Sequence, residues 1–236
     1  MKSGEEVIPV VPAYEPGVEL VDTVESLRES FPHIVVVDDG SVKAGRVFAK
    51  IEALNGVEIL RHDRNRGKGA ALKTAFSYIL AEHRDICGVV TVDADGQHLI
   101  SDVRSVSEAL IRHPGRLILG TRDFRGEIPF RSRFGNIWTR WEFFLLTGVL
   151  VKDTQTGLRG IPAAWLEALC DIAGDRYEYE SRMLVHGARA KAGPLQIPIA
   201  TVYLDGNRSS HFRPLVDAIR TQAALFDARF SRRVLF

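Results

Sequence analysis

The chain has 236 residues, 45% of them hydrophobic and 26% charged, with 31 Lys plus Arg against 30 Asp plus Glu. This is the composition of a soluble globular protein able to bury a sizeable core, and its even charge excludes a globally basic nucleic-acid binder. Two cysteines, Cys87 and Cys170, without C-x-x-C or Cys/His spacing, exclude a zinc site and a disulfide framework.

Reduced thiols fit a cytosolic protein. The opening MKSGEE, followed by a short apolar run, lacks the shape of a signal peptide. No uninterrupted apolar stretch approaches the ~18 residues of a membrane span.

In chain order, β-branched runs at 7–11, 34–37, 57–60, 86–92 and 117–119 predict buried strands. Helical spacing of Leu20, Val24, Leu27 and Phe31, and of Leu72, Ala75, Phe76, Ile79 and Leu80, predicts helices between them. Ser101 is placed as the N-cap of a further helix carrying Val103, Val106 and Leu110. Strands alternating with helices predict an α/β fold with a mostly parallel central sheet covered on both faces. Such sheets place ligands at the carboxyl ends of their strands.

Beyond residue 121 the character changes. Residues 122–133 form an arginine-rich loop with Gly126 and Pro129. Phe134, Ile137, Trp138, Trp141, Phe144 and Leu145 then form an aromatic stripe on a predicted helix. Helices over about 162–171 and 178–191 and a strand over 195–203 follow, and an amphipathic helix runs from Pro214 to about Phe230. From Tyr203 to Phe236, six arginines face Asp205, Asp217 and Asp227, a net of +3. Without repeats or linkers, the expectation is one domain over 1–210 and a C-terminal amphipathic segment over 211–236.

Three strand ends carry chemistry. VDADGQH (92–98) brings Asp93 and Asp95 together, since side chains at i and i+2 of extended backbone point the same way. Two carboxylates suit a hard divalent ion that also binds phosphates; taken alone, D-x-D is short and common. A calcium loop is excluded, because His98 and Arg104 stand where that loop needs glycine and glutamate. NRGKGAA (65–71) opens a helix with glycines and Lys68, a pattern able to approach phosphates without being a Walker sequence. VDDGS (37–41) supplies Asp38 or Asp39 to a base or ribose, or to its own turn. Independent turns would rarely supply all three within 60 residues.

The combination resembles glycosyltransferase family 2, in the branch of dolichol-phosphate mannosyltransferase and polyprenyl-phosphate glycosyltransferases. VPAY (11–14), GTR (120–122), SRFGN (132–136), DTQTGLRG (153–160) and RYEYE (176–180) extend the likeness from residue 7 to about 213. Where many relatives read PAYNE, this chain has Pro16 after Glu15. The resemblance implies the GT-A (Rossmann-like) fold and an inverting enzyme that moves a sugar from a UDP- or GDP-linked donor. It implies that Pro12, Tyr14 and Asp39 flank the base, with Lys68 near that pocket or the phosphates. Asp93, Asp95 and Gln97 would surround Mg²⁺ or Mn²⁺ and the diphosphate, and Asp153 would lie near the reacting centre. Arg122, Ser132, Arg133 and Asn136 would face an acceptor phosphate.

The acceptor decides whether a base is needed. A phosphate monoester, with its second pKa about 6, attacks without proton removal, whereas a hydroxyl of a glycan needs a carboxylate base such as Asp153, Glu178 or Glu180. The arginine-rich 122–133 segment favours polyprenyl phosphate. Arg208 and Arg213 fit phosphate contacts or ordinary surface. The aromatic stripe and the basic tail fit peripheral attachment to the cytoplasmic membrane face or to a membrane partner protein, although such a stripe is more often a core face and the tail also fits packing on a partner subunit. No nucleic-acid partner is expected.

Overall fold

The computed structural model describes residues 5–122 and 130–200, with side chains over 5–122 and 139–200. Among the described residues seven strands form one sheet: β1 (Glu6–Ala13), β2 (Ile34–Asp38), β3 (Val57–Arg61), β4 (Ile86–Thr91), β5 (Ile118–Arg122), β6 (Arg159–Pro162) and β7 (Leu195–Ile199). Their spatial order is β3-β2-β1-β4-β6-β5-β7. Parallel pairing joins β3, β2, β1 and β4, and also β5 and β7. Strand β6 runs antiparallel, between β4 and β5.

The helices are α1 (Glu19–Arg28), α2 (Gly45–Glu52), α3 (Lys68–Glu82), α4 (Ile100–Arg112), α5 (Phe130–Thr147), α6 (Leu166–Cys170) and α7 (Tyr177–Arg189). Alternating strand residues explain their division into two layers. Ile8 and Val10 face a core shared with α3, α6 and α7, while Val7 and Val11 face one shared with α1, α2 and α4. Burying both faces is what made these strands continuous apolar runs.

Three elements differ from expectation, and a fourth had been left open. Strand β6, whose Gly160 and Ile161 pair with Val90 and Val89, was not anticipated, and the helix expected over about 162–171 follows it as a 3₁₀ turn (Ala163–Trp165) and α6. Helix α2 was not anticipated, because only Phe48 and Ile51 mark its buried face. Helix α4 starts at Ile100 after Leu99, not after a Ser101 cap. Of the aromatic stripe on α5, the members with described side chains, Trp141, Phe144 and Leu145, are exposed, whereas Phe143 beside them is fully buried. Residues 211–236 lie outside the described residues.

Candidate active site

The chain order reverses at β1, with β2 and β3 on one side and β4 on the other, so a crevice opens between the carboxyl ends of β1 and β4. Pro12, Tyr14, Asp39, Lys68, Asp93, Asp95 and Gln97 all follow or end strands on this edge. Because β6 is antiparallel, its start delivers the segment 153–158 to the same edge, beside Arg122 at the end of β5.

The two acidic residues are placed by a turn, not by strand pleating. Strand β4 ends at Thr91, and Gly96 takes a left-handed φ of 74° that lets the Gln97 amide donate to Asp95 Oδ1 at 3.1 Å. Asp93 accepts from Lys68 Nζ at 2.7 Å on Oδ1, while His98 Nε2 lies 3.4 Å from Oδ2. Gly157 closes the other side, where any Cβ would collide with the Asp93 carboxylate. Thr91 Oγ1 fixes that glycine by donating to its carbonyl at 2.6 Å.

Charge distribution follows from these contacts. Burial alone would push the Asp93 carboxyl up, but Lys68 and His98 outweigh it and hold the group well below the usual carboxylate range. Asp95 is shifted the other way, first by burial and then by the Asp93 charge, against the Gln97 amide. Burial opposes the Lys68 ammonium, yet Asp93 and Glu180 raise it above the ordinary lysine value. Glu180 Oε1 lies 3.0 Å from Lys68 Nζ, an ionic contact poorly aligned for a hydrogen bond.

Asp39 is buried beneath the NRGKG loop. It accepts the Arg66 amide at 2.8 Å and the Gly67 amide at 2.7 Å, and bonds His62 Nδ1 at 2.7 Å. His62 is itself held by Thr74 Oγ1 at 2.9 Å. Asp39 therefore shapes the loop, with one acceptor position on Oδ2 not taken by these three bonds. Asp38 closes its own turn by accepting the Ser41 amide at 2.9 Å, and Glu15 accepts the amides of Val42 and Lys43. Gly67, at a φ of 110°, passes so close to the Asp175 carbonyl that no side chain fits.

Asp153 is fully buried and accepts from Arg122 Nε at 2.7 Å and Nη2 at 3.2 Å. Arg159, also buried, ties the 153–158 segment to α7 by donating to the Thr156 carbonyl at 2.9 Å and the Glu180 carbonyl at 2.6 Å. Glu178 accepts the amides of Asp175 and Arg176, both at 3.2 Å. Ser132, Arg133 and Asn136 lie on α5 with side chains outside the described residues, and Arg213 lies outside them altogether. Glu180 was weighed only as a candidate base and not as the partner of Lys68, and His62 and Gly157 were not singled out. RYEYE was the one local signal for Glu180.

The donor set fits a hard divalent ion. Asp93 and Asp95 supply carboxylates in one turn, and a cation would offset both the burial and the Asp93 charge that raise Asp95. Among the described residues no cluster of three or more His, Cys, Asp or Glu side chains forms a self-sufficient metal cage. Such an ion would therefore need oxygens from a substrate, as Mg²⁺ does with phosphates.

The family model described as Glycosyl transferase family 2 matches residues 10–166. An "Uncharacterized protein MJ1222" of Methanocaldococcus jannaschii is 34% identical over 87% of this chain and 85% of its own. A UDP-N-acetylglucosamine–dolichyl-phosphate N-acetylglucosaminyltransferase of Methanococcus voltae is 28% identical over 83% of this chain and 85% of its own. Among solved structures, GalNAc-T7 with UDP, GalNAc and Mn²⁺ superposes with a TM-score of 0.55 at 15% identity. That match covers 94% of this chain and about half, 48%, of GalNAc-T7. A putative nucleotide-diphospho-sugar transferase from Desulfovibrio desulfuricans superposes at 0.51 and 13% identity, covering 95% and 98%. The mostly parallel α/β architecture is thus of the GT-A type.

Proposed function

The chain belongs to glycosyl transferase family 2, and from that premise we propose that it moves a sugar from a UDP- or GDP-linked donor to a polyprenyl phosphate. The observation that carries the acceptor assignment is that every candidate base is already engaged. Asp153 is clamped by Arg122, Glu180 pairs with Lys68, and Glu178 caps two amides. A phosphate acceptor needs no such base, because its oxygen is already anionic at neutral pH. The name of the Methanococcus voltae relative, which acts on a dolichyl phosphate, points the same way.

In this reading Mg²⁺ or Mn²⁺ at Asp93, Asp95 and Gln97 supplies Lewis-acid neutralisation of the departing diphosphate when bound. The rest is the work of the chain itself. Pro12 and Tyr14 flank the base, and the remaining Oδ2 site of Asp39 accepts from it. Lys68, at the N-terminus of α3, attracts the diphosphate. Asp153 holds the Arg122 guanidinium in one plane, so that a preorganised cation meets the acceptor phosphate without reorganisation. Ser132, Arg133, Asn136 and Arg213 are assigned to the same phosphate. The acceptor oxygen attacks the anomeric carbon as the bond to the diphosphate breaks, and one displacement inverts that centre.

A lipid acceptor requires access to a membrane surface. No helix among the described residues is long and apolar enough to cross one. The exposed Trp141 and Leu145 of α5, and Leu150 just after it, support peripheral contact there, with residues 211–236 as a second attachment. Nucleoside diphosphate release with and without a short polyprenyl phosphate, in Mg²⁺ or Mn²⁺, tests the assignment. Release stimulated by a sugar hydroxyl and indifferent to the lipid phosphate would overturn it.

A further inference from the structure

The Lys68 ammonium sits where a divalent ion on Asp93 would have to sit or closely approach. It is 2.7 Å from Asp93 Oδ1 and 3.0 Å from Glu180 Oε1, on the first residue of α3. Mg²⁺ lies about 2.0–2.1 Å from its carboxylate oxygens. An ion engaging Asp93 would bring two cations within a few ångströms of each other inside a half-buried crevice, where their repulsion is poorly screened. Lys68 and the ion therefore compete for one carboxylate.

We propose that Lys68 is a resident counter-ion that keeps Asp93 occupied until a donor diphosphate offers the ammonium another anion, so that metal and donor bind as an obligate pair. The inference rests on the proposed donor and metal site and adds an order to its filling. Glu180 is the hinge of this exchange. Lys68 lies between Glu180 and Asp93, and the Glu180 backbone is anchored by Arg159 and its helix. The ammonium can therefore leave Asp93 without losing all of its compensation, which would be costly for a buried charge. Glu180 in this role is a positioning residue, acting only through Lys68.

The consequence is a measurable coupling. In the free protein, Mn²⁺ should bind weakly, because Asp93 is neutralised and Asp95 is the only carboxylate left to it. With UDP or GDP present, the ammonium turns to the diphosphate and Asp93 becomes available. Substitution Lys68→Met frees Asp93 Oδ1 from the start, with only the 3.4 Å approach of His98 remaining on Oδ2. Glu180→Gln leaves the ammonium to Asp93 alone and strengthens the block. The two variants thus move metal-only affinity in opposite directions, which a generic loss of fold cannot do.

The test is Mn²⁺ titration of the full chain, followed by the paramagnetic resonance signal of free Mn²⁺, with and without UDP or GDP. For Lys68→Met, metal-only affinity should rise on the order of tenfold, and the enhancement by nucleotide should shrink by a similar factor. For Glu180→Gln, metal-only affinity should fall severalfold. Should Lys68→Met not fold, the Glu180→Gln arm decides alone, since tighter or unchanged Mn²⁺ binding there overturns the exchange. Unchanged metal-only affinity in a folded Lys68→Met protein, with nucleotide still enhancing binding, refutes the exchange and spares the donor site. Absence of Mn²⁺ binding in the wild-type protein with either nucleotide refutes both.

Discussion

Arg122 reaches Asp153 with two donors, Nε at 2.7 Å and Nη2 at 3.2 Å, joining the end of β5 to the segment that precedes β6. The carboxylate is fully buried, and the arginine side chain is 32% exposed. Only a planar fork makes this pairing, so Arg122→Lys keeps the charge but not its orientation. The acceptor KM should rise on the order of tenfold while donor binding stays unchanged, as read by steady-state kinetics and calorimetry. Asp153→Asn should cost about 1–3 kcal/mol in urea unfolding, a range discounted for the solvent-facing side of Arg122.

Asp39 holds the NRGKG loop from below through two amides and His62. Asp39→Asn places an NH₂ group against those donors. A loss of about 2–3 kcal/mol in stability should accompany at least tenfold weaker nucleotide binding. Wild-type unfolding by urea combined with weaker binding would assign Asp39 to the ligand alone.

Gly157 touches Asp93 where no Cβ fits. Gly157→Ala should displace the carboxylate and abolish most turnover while circular dichroism shows the fold intact. Retained activity would mean that the position of Asp93 is not critical.

His186 on α7 is buried, and its Nδ1 has no partner among the described residues. Burial, then the charges of Arg189 and Arg182, lower its pKa from 6.5 to about 4. Between these values the unfolded chain binds the extra proton, so stability is complete above pH 6.5 and declines as pH falls towards 4. His186→Phe should flatten that slope in urea unfolding measured across the interval. An unchanged slope would assign the titration elsewhere.

The four parallel strands and the residues at their carboxyl ends were legible because both depend on local pattern. Ile34 to Val37 is an unbroken β-branched run, and DDGS, NRGKG and DADGQ each follow a strand. Contacts between distant segments were not legible. Nothing near Lys68 announces that Glu180 completes its pairing, and nothing near Asp153 announces that Arg122 will neutralise it. Strand β6 escaped for a related reason. Its four residues, Arg-Gly-Ile-Pro, carry little strand propensity and are ordered by pairing with β4 and β5. The aromatic stripe of α5 was seen but its direction was open, since periodicity fixes a face and not what the face meets.

The product of the reaction tests the proposed transfer most directly. With a nucleotide sugar, Mg²⁺ or Mn²⁺, and a short polyprenyl phosphate, the organic-phase product should carry one sugar on one phosphate. Its anomeric configuration, read by nuclear magnetic resonance, should be opposite to that of the donor. A product joined without the phosphate, or one that retains the donor configuration, would contradict the phosphate acceptor or the single displacement respectively.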